Sequence, residues 1–391
     1  MIGNVYLTGT VRTAIGSFGG AFAEVPATKL GSAAIKAALE RATLDPKAVD
    51  EVIMGNVLSA GLGQNPARQA ALGAGLPQSV GATTIAKVCG SGLKAIMLAA
   101  QAIQCGDAAV AVAGGMENMS RAPYLLEKAR SGYRLGDGQI VDSLLRDGLT
   151  DAYAGTHMGS CGDACAAKYD FSRQQQDDFA VASYQRARAA ADVLAKEIVA
   201  VEAPAGKTMV QVTADEGPAR FNEEKLRQLR PAFGKEGTVT AGNASSINDG
   251  AAAAVVFGDE ARRKFNLKPE AKILGYVSAA REPEWFTLAP IAAIEKLMAK
   301  LKLKVEDVDL FEINEAFAVV VMAAIRDLGL PHEKVNVHGG AVALGHPIGA
   351  SGARTLVTLV NALQHRGGRI GITALCIGGG EAVAMAVELV S

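Results

Sequence analysis

Four side chains of this 391-residue chain could act on one another chemically: Cys89, Asn314, His346 and Cys376. Cys89 stands in Ala86-Lys87-Val88-Cys89-Gly90-Ser91-Gly92, where a run of small and β-branched residues gives way to a helical pattern. A thiol at a helix N-terminus meets unpaired N–H groups and the positive end of the helix dipole, and both favour an anion. This setting predicts a nucleophile biased toward thiolate. The other reading is an inert core cysteine, since free cysteine is among the most buried residue types. His346, in Gly345-His346-Pro347-Ile348-Gly349, carries the one side chain with a near-neutral intrinsic pKa, suited to taking the thiol proton. Cys376, in Cys376-Ile377-Gly378-Gly379-Gly380, is a second thiol that could serve as acid or base on carbon. Asn314 can donate a hydrogen bond directly or hold a water. The backbone N–H groups at Cys89 and in the Gly378 run are candidate donors to a developing oxyanion, because glycine permits close approach. Each of these residues also has a plain structural reading as a turn, cap or core residue.

The elements that must position these groups follow from periodicity. Residues 80–86 read as a buried strand, and 93–104 as a helix apolar nearly all round, hence enclosed in a large core. Residues 1–9 read as a first strand, 28–41 as a helix, 49–54 as a strand, 65–72 as a helix, and 107–113 as a strand ending in Gly114-Gly115-Met116-Glu117. Strands alternating with helices predict a mainly parallel sheet covered on both faces. From 119 to 248 the alternation weakens and polar and aromatic residues become frequent. This stretch, with one long helix over 172–196 capped by Ser172, reads as a lid laid over the α/β core. The expected organisation is therefore an N-terminal half over 1–118 completed by 249–268, a lid over 119–248, and a C-terminal half over 269–391.

The second half repeats the first. Leu44, Val49 and Asp50 match Leu303, Val308 and Asp309 at an offset of 259, and Ser91-Gly92 match Ser351-Gly352 at 260. Order and near-constant offset predict a duplication. Two like units facing each other would place corresponding loops around one cleft. His346 falls three residues before the position equivalent to Cys89, so both can face the axis between the halves.

Composition narrows the class. Lys and Arg number 39 against 40 Asp and Glu, with no basic run, which argues against nucleic acid or an anionic membrane as partner. No apolar run reads as long enough to span a bilayer, and the first residues do not follow a signal-peptide pattern. Five cysteines form no disulfide framework, which predicts a reducing, cytoplasmic setting. His157, Cys161 and Cys165 stand at helical spacing without an evident fourth ligand, so no metal site is expected.

The motifs around these residues closely resemble the thiolases. The blocks are Val88-Cys89-Gly90-Ser91-Gly92, Gly114-Gly115-Met116-Glu117, Asn243-Ala244-Ser245 with Asn248-Asp249-Gly250-Ala251, Asn314-Glu315-Ala316-Phe317, Gly345-His346-Pro347-Ile348-Gly349 and Cys376-Ile377-Gly378-Gly379-Gly380. The resemblance spans the chain and is greatest to the acetyl-CoA C-acetyltransferase branch. It implies a duplicated, five-layered αβαβα core with an inserted loop domain, assembled as a homotetramer. It implies that Cys89 is acylated, that His346 activates it and shares an oxyanion hole with a water on Asn314, and that Cys376 moves the α-carbon proton. The N–H groups of Cys89 and Gly378 would form a second oxyanion hole. His157, Met158, Arg220 and Ser245 match positions that contact coenzyme A, and Ala316 and Phe317 would line the pantetheine tunnel. Acetyl-CoA, acetoacetyl-CoA and CoA would be substrates and products, with no cofactor. Trp285-Phe286 stand where bacterial short-chain members often carry Met-Gly, which is closer to mitochondrial acetoacetyl-CoA thiolases and places Phe286 in the acyl pocket. A broader-chain 3-ketoacyl-CoA thiolase is the alternative within the family; a decarboxylating ketoacyl synthase and a non-catalytic acyl-CoA-binding protein are remote ones.

Overall fold

Side-chain alternation along the strands decides the architecture. In the strand Val110–Asn118, Val110 and Val112 pack with helices Ala27–Ala42 and Pro66–Gly73, whereas Ala111 and Ala113 pack with helices Ser91–Cys105 and Ile348–Arg366. The second half does the same. In Ile370–Ile377, Ile372, Ala374 and Cys376 face helices Ala289–Leu301 and Ala318–Leu328, while Leu375 and Ile377 face the shared pair Ser91–Cys105 and Ile348–Arg366. A strand buried on both faces needs helices on both. The result, in a computed structural model that describes residues 3–390, is five layers: helix pair, sheet, helix pair, sheet, helix pair.

The duplication is written into the hydrogen-bond ladder. The first half orders its strands Gly81–Ile85, Glu51–Gly55, Val110–Asn118, Asn248–Gly258, Val5–Thr13. The second orders Leu310–Ile313, Ile370–Ile377, Glu381–Leu389, Ala271–Ala280, with the same sequence of parallel and antiparallel neighbours as the first half has from Glu51–Gly55 onward; Gly81–Ile85 is an additional edge strand of the first. Glu51 pairs with Ala111 and Leu310 with Gly371, so the register reproduces the offsets of 259 and 260. The halves join edge to edge where Tyr6 meets Lys272 and Leu7 meets Ala271.

The two middle helices cross at equivalent glycines. A Cβ on Gly92 would lie 2.7 Å from the Ala353 nitrogen, and one on Gly352 would lie 2.3 Å from the Leu93 nitrogen. Backbone therefore touches backbone at the centre of the molecule, which no larger residue allows. This crossing sets the starts of the two helices, and the loops that carry Cys89 and His346, side by side.

Residues between Asn118 and Asn248 form the covering segment, fastened by buried charge. Arg12 on the first strand reaches Glu197 at 2.6 Å and Asp215 at 2.7 and 2.9 Å. Glu197 also accepts from Thr358 at 3.0 Å and Asn361 at 2.9 Å, on the central helix of the other half. Breaking such a buried pair from one side costs about 3–5 kcal/mol, so these contacts tie the covering segment to the first strand and to the central helix.

Several local expectations are corrected. Gly81–Ile85 is a half-exposed edge strand with a single strand neighbour, not a buried one. The strand expected to stop at Gly114 continues to Asn118, because Asn248–Gly258 pairs with it residue for residue that far. The expected helix 172–196 breaks at Ala190 into Arg173–Ala189 and Ala191–Ala195; its start is as read, with Ser172 and Gln175 forming a capping box. Residues 88–105 are long enough, at a mean hydropathy of 1.2, to cross a membrane by composition alone, contrary to the sequence reading. They instead lie between the two sheets, with the C-terminal end of the helix exposed. Of the expected first strand, Val5–Thr13 is strand, and Met1 and Ile2 lie outside the described residues.

Substituting Gly352 by alanine should lower the unfolding free energy by about 1–3 kcal/mol or more in urea titration. Gly81→Ala, where nothing lies within 4 Å of the added Cβ, should stay within about 0.5 kcal/mol.

Candidate active site

Cys89 sits on a strained turn. Val88 just before it has φ of 43°, a conformation β-branched residues rarely adopt and that persists only where surroundings enforce it. Ser91 enforces it: its hydroxyl accepts from the Lys87 N–H at 2.8 Å and donates to the Val88 carbonyl at 2.7 Å. The helix begins at Ser91, so the thiol stands at its mouth.

The glycine run faces this turn. Gly378, Gly379 and Gly380 join Ile370–Ile377 to Glu381–Leu389, with φ of 90° and 87° at the last two. A Cβ on Gly380 would sit 2.3 Å from the Arg281 carbonyl oxygen. The N–H groups of Gly378 and of Cys89 itself both act on the Cys89 sulfur in the direction of thiolate, but burial outweighs them and pushes the thiol up to about 11. The expected thiolate bias is thereby corrected. The sulfur is enclosed, and two amide dipoles do not replace the water it has lost. Cys89 rests as a thiol and needs a base.

His346 is that base by geometry. Its backbone N–H donates to Asn248 Oδ1 at 2.9 Å, and its ring Nδ1 lies 2.6 Å from Ser351 Oγ. The Ser351 hydroxyl is also 2.9 Å from the Pro347 carbonyl, which can only accept. With its one proton directed there, the hydroxyl accepts from Nδ1–H, and this network assigns Nε2 as the unprotonated nitrogen. Nε2 is buried and has no protein partner. Burial, and next the charge of Arg354, lower the imidazole pKa to about 3, so it is neutral with its lone pair available.

Asn314 and Cys376 stand behind these groups. Asn314 follows the strand Leu310–Ile313 and is held by its N–H to the Ala374 carbonyl at 3.0 Å. Its Nδ2, like His346 Nε2, is a buried polar atom without a protein partner. Cys376 is fully buried, and its thiol is raised well above the ordinary range by burial and then by Cys89, which lies near enough to act on it. Glu117, not singled out as a functional group from sequence, accepts from Asn56 Nδ2 and from the N–H groups of Val57, Leu58 and Gly349 at 2.8–3.2 Å. It ties a loop of one half to the helix start of the other, and burial raises its carboxyl to about 7.

A cavity of about 630 Å³ opens onto Cys89, His346 and Gly378. His157, Met158, Arg220 and Ser245 line it, as do Phe286, Ala316 and Phe317. Asn314 and Cys376 are buried immediately behind its lining, with Cys376 close to Cys89. Phe317 meets Phe233 and Phe286 edge-on, at 6.1 and 6.4 Å between ring centres, which makes a stiff apolar passage. Ser245 donates both its N–H and its hydroxyl to the Ala316 carbonyl, at 2.9 and 3.0 Å. Arg220 is exposed and paired with Glu216 at 2.9 Å. His157 caps the helix Met158–Lys168 through Nδ1 and stacks on Phe233, while Cys161 and Cys165 enter the apolar cluster behind. The described residues contain no group of three or more His, Cys, Asp or Glu placed to hold a metal ion.

Comparison with known proteins decides the family. Residues 5–260 match the thiolase N-terminal domain model and residues 267–389 the thiolase C-terminal domain model. The chain belongs to the thiolase family. It is 53% identical over 389 residues to an acetyl-CoA acetyltransferase of Escherichia coli, covering 98% of this chain and 99% of that one. It is 51% identical over 390 residues to that of Schizosaccharomyces pombe, covering 99% of each. Among solved structures, the Bacillus anthracis acetyl-CoA acetyltransferase superposes with a TM-score of 0.97 at 41% identity, covering 100% of this chain and 99% of that one. The Acat5 thiolase of Ascaris suum, in complex with coenzyme A, gives 0.93 at 45% identity, covering 99% and 100%. The thiolase fold thus carries the duplicated core described above.

In this thiolase the rate of Cys89 alkylation by iodoacetamide, followed by peptide mass spectrometry, should rise about tenfold per pH unit between roughly pH 7 and 9. A plateau reached before pH 8 would reveal a resting thiolate.

Proposed function

We propose that this thiolase is an acetyl-CoA C-acetyltransferase that condenses two acetyl-CoA into acetoacetyl-CoA and CoA through an acetyl-Cys89 intermediate. One observation carries the mechanism: a thiol, an unprotonated imidazole nitrogen and the Gly378 N–H share one cavity. The relatives that match almost end to end are acetyl-CoA acetyltransferases, and the one solved with coenzyme A supports CoA thioesters as ligands.

His346 Nε2 takes the Cys89 proton as the sulfur attacks the thioester carbonyl. The N–H groups of Cys89 and Gly378 stabilise the oxyanion. As the carbonyl re-forms, the CoA sulfur leaves and takes the proton of Cys376. A second acetyl-CoA enters, and the Cys376 thiolate removes its α-proton. Burial makes that thiolate a strong base. The enolate oxygen is met by protonated His346 and by a water on Asn314. The enolate carbon attacks the acetyl group on Cys89, the sulfur is expelled, and His346 returns its proton. All three groups end as they began.

His157, Met158, Arg220 and Ser245 serve the coenzyme along the cavity, with Ala316 and Phe317 around its pantetheine arm. Phe286, buried in the wall against Phe317, closes the acyl end and favours short chains over the broader-chain alternative. The homotetramer is supported by the segment 124–140, where Leu135 is 98% exposed and Ile140 67%, beyond what a lone surface usually leaves uncovered. Five free cysteines support a reducing, cytoplasmic setting.

Cys376→Ala, which also loses the proton donor to the departing CoA, should take up one labelled acetyl group per chain from acetyl-CoA more slowly than wild type yet form no acetoacetyl-CoA, whereas Cys89→Ala takes up none. Full condensation by Cys376→Ala would reject the assignment. Light scattering should give the mass of four 40.2 kDa chains, and Leu135→Lys with Ile140→Lys should reduce it to that of a smaller assembly.

A further inference from the structure

Behind His346 Nε2 and Asn314 Nδ2, two of the buried polar atoms that lack protein partners, one helix presents two side chains a single turn apart. Ser351 orients His346. Arg354 is 2% exposed; it donates from Nη1 to Glu312 at 2.7 Å and from Nη2 to Asn314 Oδ1 at 3.3 Å. Glu312 lies two residues before Asn314, on the strand face opposite Phe311 and Ile313, which join the outer cluster. The guanidinium thus spans strand and strand end with its two prongs.

We propose that Arg354 is a positioning residue for the condensation step: its fork, anchored on Glu312, holds the Asn314 carboxamide so that Nδ2–H₂ faces the water that meets the enolate oxygen. Donor and acceptor identity fixes the amide. A guanidinium has no acceptor. Beside it, the amide of Asn314 must present Oδ1, which turns Nδ2 the other way, where it has no partner. A reversed amide would accept from that water and take one of the two hydrogens it can turn toward the enolate. Glu312 keeps the arginine in place, since a buried guanidinium without a carboxylate would be strongly destabilised. Lysine cannot substitute, because its single ammonium follows the carboxylate and leaves Oδ1 unheld. Alternatively the pair is purely structural, one of several buried ion pairs that hold the layers together.

The inference rests on the acetyltransferase reading, and the wild-type enzyme tests that reading by itself: it must form acetoacetyl-CoA from acetyl-CoA. The variants Arg354→Lys, Asn314→Ala and their combination are then compared in two half-reactions, acetyl transfer to Cys89 and condensation by the preacetylated enzyme. Arg354→Lys should acetylate within about twofold of wild type and condense about 100-fold more slowly, comparable to loss of one oxyanion donor. The double variant should be no slower than Asn314→Ala alone. The paired change Glu312→Gln with Arg354→Met removes both buried charges together, and should reproduce the selective loss if the lysine variant does not fold. Equal losses in both half-reactions, or losses that multiply in the double variant, would overturn the assignment and leave Arg354 a structural residue.

Discussion

The backbone contact between Gly92 and Gly352 is the constraint from which the site follows. Two helices that cross this closely must begin close together, and each begins where a loop leaves a sheet. One loop carries Cys89 at the turn held by Ser91, and the other carries His346 held by Asn248 and by the Ser351 hydroxyl. Glu117 closes the seam by accepting N–H groups from both halves. A wider crossing would leave two similar α/β units with no shared chemistry between them.

Burial then sets the resting charge. The Cys89 thiol is pushed up and the His346 imidazole down, each by loss of water, so the pair stays neutral until a substrate arrives. A Cys89–His346 ion pair formed in advance would lower the drive to attack a carbonyl. The site instead keeps fixed dipoles: amide N–H groups at Cys89 and Gly378, and the Asn314 side chain. Preorganised donors of this kind stabilise charge as it forms without reorganising.

The covering segment serves the same end by a different route. Arg12, Glu197 and Asp215 lock it to the first strand, and Thr358 and Asn361 tie Glu197 to the central helix. Its residues His157, Met158 and Ser245 then form a wall of the cavity rather than a mobile flap. The aromatic passage through Phe233, Phe286 and Phe317 draws on both the segment and the C-terminal half. The walls of the cavity therefore belong to three parts of the chain at once.

Much of this was legible in the residues. Periodicity marked the core helices and most strands, and the offset of 259 to 260 announced a duplication that the strand register bears out. Motif order pointed to the thiolases and to Cys89, His346 and Cys376, because their glycine-rich neighbours are local and survive in sequence. What lay beyond reach depends on contacts between distant residues. The thiolate bias inferred from the helix start failed because only packing reveals how much water the sulfur loses. The edge position of Gly81–Ile85 depends on which strands pair, not on its own composition. Arg354, Glu312 and Glu117 read as ordinary charges until the fold buries them against the reacting groups. The sequence by itself determined the order of the elements, the repeat and the reactive residue types, since these are local and periodic. Only the tertiary structure decided their protonation and orientation, because burial and hydrogen-bond direction belong to the assembled layers.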